Sequence, residues 1–330
     1  MTSIALLCMI LLLLTWNLHM VSDLPDERIL VVTTINVLAD IARQIGGERV
    51  YVRSIVTGME NPHTYSLKPS DKLLLKEADI YVEIGKPLEG FRDELLSGID
   101  LSKKHIITCL KLPDIVILPS GNPHIWLDPR NALIIAKAIR DQLIQLDPEH
   151  SDYYELRYQE FERRIFNLRR YIGSRAKGIA GKGIVLAAPA PEPLAVYMNL
   201  TVVDVLIKTP GRQPTPKEVA LIEEKIREGK VRALVEVAVL KIPVVRRISE
   251  DTGIPTVKFT PLLMPERGIC DYFDLLRYDV DVLVDALEYT GQSISQAEDV
   301  NQLTMLILLA VSICEALGLL YLGVRLLVRR

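Results

Sequence analysis

Net charge is what this sequence most plainly lacks: 39 basic residues stand against 42 acidic ones. A chain so balanced offers no basic face to a nucleic acid, and no such partner is expected. Cysteine is also scarce. Of four, Cys8 and Cys314 sit in the apolar ends, which leaves Cys109 and Cys270 for the body. One disulfide in an oxidising compartment and two unbonded buried thiols both fit that pair, and the spacing does not suggest a metal knuckle. The chain has neither a His-Glu-x-x-His helix nor a Gly-x-Ser-x-Gly elbow, so the usual marks of a metallohydrolase or serine hydrolase are missing and an enzyme is not expected. Short-period repeats and low-complexity tracts are missing too.

What is present begins with length: 330 residues suffice for two domains with real cores. The two ends read differently from the body. Residues 303–324 are 22 positions with a single formal charge, Glu315, long enough to cross a hydrocarbon layer as a helix. Arg325, Arg329 and Arg330 follow, and Glu298 and Asp299 precede, which places the C-terminus in the cytoplasm and the body outside. The expectation is a cell-membrane protein with an extracytoplasmic globular part. The apolar run 4–16 resembles the core of a secretory signal without its usual basic lead. Segment 1–22 is therefore read as a signal peptide or an N-terminal anchor, and the lack of a small residue before Cys8 argues against lipid attachment there.

Between the ends, short β-branched runs alternate with helical patterns. Runs at 28–34, 50–56, 80–84 and 105–108 read as strands, and the pattern from 37 to 45 ends at Gly46-Gly47. The alternation repeats at 183–187, 201–205, 231–237 and 256–260, with a last helix over 272–288. Such alternation predicts α/β architecture with mostly parallel sheets. Between the two halves, Asp147-Pro148-Glu149 opens a pattern that runs to about Lys177, with Tyr153, Leu156, Tyr158, Phe161, Ile165, Leu168 and Tyr171 at helical spacing. A helix of this length would reach about 45 Å. The expected organisation is an N-terminal lobe over 28–146, a connecting helix over 147–178, a C-terminal lobe over 179–288, a polar linker over 289–302 and a transmembrane helix over 303–324.

The chain has five histidines, and two of them stand in matched phrases, Asn61-Pro62-His63-Thr64-Tyr65 and Asn122-Pro123-His124-Ile125-Trp126-Leu127-Asp128-Pro129. Imidazole is the commonest side-chain metal ligand. Each proline fixes its own backbone and biases the preceding asparagine toward an extended conformation, so less entropy is lost when the ring is held for a cation. A histidine just beyond a parallel strand also points to the carboxyl edge of a sheet, where open α/β domains bind ligands.

At these residues the chain resembles the solute-binding proteins of zinc, manganese and iron ABC importers. Gly58 to Tyr65 with Pro69-Ser70-Asp71 is similar to that family's first ligand loop, and the Pro-His-x-Trp-Leu-Asp-Pro phrase to its second. The likeness runs from about Ile29 to Glu288 and includes Pro214-Thr215-Pro216 before a helix, Leu234-Val235-Glu236 and a closing segment over 272–278. The resemblance implies two α/β lobes joined by a rigid helix, a metal held between them with small movement on binding, and a monomer that hands its cation to a permease driven by a cytoplasmic ATPase. It makes His63 and His124 the first two ligands. The family's third ligand, a His or Glu, falls near Ala188 or Pro189, neither of which has a donor side chain. Glu192 is the nearest substitute, or else the exposed first turn of a helix. Asp271 stands where the family has its fourth ligand, or else caps the helix that follows. Glu236, at a strand end, is read as a group behind the ligands.

Two imidazoles with carboxylates form a mixed nitrogen and oxygen site suited to zinc, manganese or iron. The absence of a third histidine and of a His-rich loop tilts the reading toward manganese or another ion than zinc. The function expected is capture of a divalent transition metal outside the cell and delivery to an ABC importer. The alternative is an adhesion or assembly module that keeps the two-lobe scaffold but has lost full metal binding.

Overall fold

The structure is a computed structural model that describes residues 28–288, except 59, 209–211 and 241. In chain order the strands are β1 (Ile29–Ile35), β2 (Val50–Val56), β3 (Ile80–Glu83), β4 (His105–Thr108), β5 (Gly183–Leu186), β6 (Thr201–Val205), β7 (Ala233–Val237) and β8 (Thr256–Phe259). The helices are α1 (Asn36–Gly46), α2 (Pro69–Glu77), α3 (Arg92–Leu96), α4 (Pro129–Leu146), α5 (Ser151–Arg175), α6 (Glu192–Tyr197), α7 (Pro216–Arg227), α8 (Pro243–Thr252) and α9 (Tyr272–Glu288).

The strands form two four-stranded sheets, ordered β2-β1-β3-β4 and β6-β5-β7-β8, and every pairing is parallel. Sheets covered by helices on both faces are buried on both, which is why their central strands are unbroken β-branched runs rather than alternating ones. Val31 to Ile35 in β1 and all of β5 are buried. The helix α1 follows β1 without a loop and ends where Gly47 takes a positive φ of 54°. The positive φ favours glycine here, and a Cβ on Gly47 would also push aside the Tyr153 hydroxyl, 2.0 Å away.

The connecting helix is shorter than its sequence pattern. Residues Pro148–His150 and Ala176–Gly178 are single 3-10 turns, and α5 between them is 25 residues, about 38 Å. Its buried stripe is Tyr154, Phe161, Ile165, Leu168 and Ile172, while Leu156 is 60% exposed. The stripe is thus rotated slightly from the expected one, because α5 packs on α9 as well as on the first lobe. Phe161 meets Phe273 edge-on at 5.4 Å, and Arg175 binds both Asp281 and Asp285 on α9 at 2.9 Å.

A single hydrophobic core runs from the first sheet through α5 and α9 to one face of the second sheet, and a satellite core lies under α7 and α8. Polar ties cross between the lobes alongside it. Trp126 Nε1 donates to the Pro261 carbonyl at 2.8 Å, Tyr272 Oη donates to the Trp126 carbonyl at 2.8 Å, and Asn36 exchanges two hydrogen bonds with the Leu263 backbone.

The architecture departs from expectation at the membrane. It is two α/β lobes with parallel sheets and flanking helices, but no helix among the described residues is long and apolar enough to cross a bilayer. The segment 303–324 read as a span lies outside the described residues, as do 1–22 and the linker 289–302. Cys109 and Cys270 are free thiols, the first buried and the second exposed, and so they are not the disulfide that the pair admitted.

Candidate metal centre

The two histidines leave the first sheet from its opposite edges. His63 lies in the loop after β2 and His124 in the longer loop after β4, and both loops bend back over the carboxyl ends of the strands between them. The loop of His63 is laid against the second lobe at Gly58, whose φ is 152° and where a Cβ would come within 3.2 Å of the Leu263 carbonyl and 3.3 Å of Asn36 Nδ2. The loop of His124 runs through one 3-10 turn, Ile125–Leu127, into α4, whose N-terminus is capped by Asp128.

The two Asn-Pro-His phrases fold alike. Asn61 Oδ1 accepts the His63 backbone N–H at 3.0 Å, and Asn122 Oδ1 accepts that of His124 at 3.0 Å. Each is an Asx turn, the side-chain mimic of a backbone turn, stiffened by the proline inside it. The result is that the two Nε2 atoms face each other at 3.4 Å, with ring centroids 5.3 Å apart and planes inclined at 57°.

The hydrogen bonds behind His124 set its tautomer. Asn122 Nδ2 donates to the Pro189 carbonyl at 2.7 Å and to Glu192 Oε2 at 2.8 Å. Only the nitrogen of the amide can donate, so its oxygen is the atom turned to His124, 2.8 Å from Nδ1. Nδ1 therefore carries the proton and Nε2 keeps its lone pair. The same bonds link the lobes, since Asn122 and His124 belong to the first and Pro189 and Glu192 to the second. Glu192 Oε2 also accepts from Ser120 Oγ at 2.9 Å.

Both imidazoles are held neutral. Burial, reinforced by repulsion from His63, pulls His124 from the ordinary value of 6.5 down to about 3. Burial likewise lowers His63, opposed only by a hydrogen bond to the Pro87 carbonyl. Two neutral rings whose Nε2 atoms meet edge to edge can do little for each other. They are well placed to share a cation: two ligands at about 2.0–2.1 Å on one tetrahedral ion stand about 3.3–3.4 Å apart.

His63, His124 and Glu192 line one cavity of about 610 Å³ between the lobes. Asp271 and Glu236 do not line it. Asp271 Oδ1 accepts the backbone N–H groups of Phe273 and Asp274 at the start of α9, and its Oδ2 pairs with Arg164 at 2.7 Å. Glu236 is half-buried in β7, in register with Lys258 of β8. Among the described residues no three His, Cys, Asp or Glu side chains come together as a metal cluster. The residue that sequence reasoning passed over is Asn122, read only as the extended residue before a proline; its place before a histidine was the available signal, but its bonds to Pro189 and Glu192 span 67 and 70 residues.

Three kinds of likeness accompany this geometry. The family model described as "ZnuA: Zinc-uptake complex component A periplasmic" matches residues 31–286. The chain is 27% identical over 277 residues to the metal ABC transporter substrate-binding lipoprotein FimA of Streptococcus parasanguinis, covering 79% of this chain and 89% of that protein. It is 26% identical over 278 residues to the manganese ABC transporter substrate-binding lipoprotein PsaA of Streptococcus anginosus, covering 79% and 90%. In fold it is similar to the manganese-bound periplasmic metal binding protein of Candidatus Liberibacter asiaticus, with a TM-score of 0.69 at 21% identity over 79% of this chain and all of that one. At that identity the likeness speaks for the fold alone.

Proposed function

The chain belongs to the family of component A of periplasmic zinc-uptake complexes, and from that premise we propose that His63 and His124 are the residues by which it seizes its cargo. The protein is an extracytoplasmic, membrane-associated solute-binding component, not an enzyme, and it delivers a divalent transition metal to an ABC importer. We take the lobes over 28–146 and 179–288, joined by 147–178, as the two units whose cleft holds the ion. The names of its relatives divide between zinc and manganese, and two imidazoles without a thiolate suit zinc, manganese and iron alike.

The observation that carries this reading is the 3.4 Å approach of the two Nε2 atoms, each on a loop stiffened by the same Asn-Pro-His turn. Asn122 acts behind His124, fixing the ring and its tautomer as outer partners of metal-bound histidines do, and Glu192 holds Asn122 in turn. Equilibrium dialysis of the full-length chain against zinc and against manganese tests the assignment. Uptake near one ion per chain is expected, falling by about a hundredfold or more in affinity in His63→Ala and in His124→Ala. Undiminished uptake in both variants would remove the histidines from the site.

A further inference from the structure

The cavity behind His63 and His124 has two unlike walls. On the side of the second lobe it is lined by Ala188, Pro189, Ala190, Val237, Val239 and Leu240, which offer carbon where an ion would look for donors. A transition metal takes four or more ligands. Two imidazoles supply two, and among the described residues the only acid lining the cavity is Glu192, whose Oε2 already accepts hydrogen bonds from Ser120 and Asn122.

Charge and volume point the same way. Two neutral rings leave a divalent cation uncompensated, and a doubly charged ion facing an apolar wall is costly unless anionic partners arrive with it. Lys208 and Arg212 also line the cavity, their charges already met by Asp204 at 3.2 Å and Glu218 at 2.9 Å, so they supply nothing that neutralises a cation there. Six waters around a bare ion would fill on the order of 180 Å³, whereas the cavity holds about 610 Å³, within the range of roughly 300–1,000 Å³ typical for small organic ligands.

We propose that the cleft takes its metal as a one-to-one complex with a small anionic chelator, whose donors complete the coordination begun by His63 and His124 and whose body packs against the apolar wall of the second lobe. This rests on the reading of the two histidines as metal ligands. The chelator is of the amino acid or hydroxycarboxylic acid class, with a carboxylate to neutralise the ion and a size set by the cleft. Binding is by coordination and packing alone, with no covalent or redox step.

Full-length protein dialysed against radioactive zinc at one fixed free-ion activity, alone or with carbon-14 histidine or citrate, tests the idea. The expected result is retention of zinc and chelator together in equal amounts for at least one of the two, with zinc affinity raised tenfold or more over zinc alone, and loss of both labels in His63→Ala and His124→Ala. Ala188→Glu, which sets a carboxylate in the bare wall, should bind zinc alone at least tenfold better than the natural chain and no longer gain from a chelator. Zinc retained equally with and without chelator, and no chelator label bound, would overturn the proposal while leaving metal capture intact. Neither label retained under any condition would instead overturn the assignment of the histidines. An Ala188→Glu chain that depends on chelator as much as the natural one would show that the apolar wall is not what calls for it.

Discussion

The walls that face each other across the cleft differ in almost everything but burial. On the first lobe Asn122 and His124 are 4% and 7% exposed, and their polar atoms are engaged in a chain of hydrogen bonds. On the second lobe Ala188 and Val237 are 6% and 2% exposed and have no polar side-chain atoms to engage. If His63 and His124 hold the ion, its protein donors come from one lobe, and the other contributes a surface and two anchoring points, the Pro189 carbonyl and the Glu192 carboxylate. Buried polar groups are costly unless satisfied; the first wall satisfies its own partly by borrowing from the second.

The sharpest way to break that contrast is Asn122→Ala, which leaves both imidazoles in place but removes the acceptor that fixes His124 in one tautomer. Metal affinity is expected to fall about 10- to 100-fold, measured by competition with a fluorescent zinc indicator, with the thermal midpoint of the metal-free chain also lowered. An unchanged affinity would mean that the ring needs no outer partner.

Acid should act on the first wall through His124. His124 binds its proton at about 3 in the folded chain against an ordinary 6.5, so between those values the unfolded chain holds more protons than the folded one. Stability tied to this group is therefore present above about pH 6.5, declines as the pH falls below it, and is fully lost below about pH 3. Thermal midpoints from pH 7 to pH 4 should drop more steeply for the natural chain than for His124→Gln. Parallel curves would sink the account of His124 as a neutral buried ring.

The smallest effect is expected from Glu192→Gln, which keeps an oxygen for Ser120 and Asn122 and removes only charge. If Glu192 works through Asn122, the metal affinity of this variant stays within about threefold, in keeping with the modest net worth of one hydrogen bond. A loss of tenfold or more would place the carboxylate on the ion itself and give the second wall a donor of its own.

Much of the fold was legible because parallel strands advertise themselves as β-branched runs: β1 and β5, buried on both faces, are the plainest cases. The histidine pair was legible because the local chemistry that aims each ring, an Asx turn closed by proline, is written in three consecutive residues. What the chain could not disclose were relations at long separation. Which face of α5 is buried depends on α9, more than a hundred residues onward. Asp271 reads equally as a ligand or a cap until Arg164 and the start of α9 are seen around it. Glu236 stands at a strand end that looks toward a cleft in sequence, yet it does not line the cavity. Asn122 looked like punctuation because its two partners come from the other lobe.

The shared core that threads α5 and α9 has a bearing on how a transporter could tell a full carrier from an empty one. Among the described residues the halves are welded by common packing and stitched by Trp126, Tyr272 and Asn36, which opposes a wide clapping motion. If His63 and His124 hold the ion, occupancy would be announced at the rim, by the posture of the loops that bear them, and a docking permease would read those two lips rather than the overall silhouette.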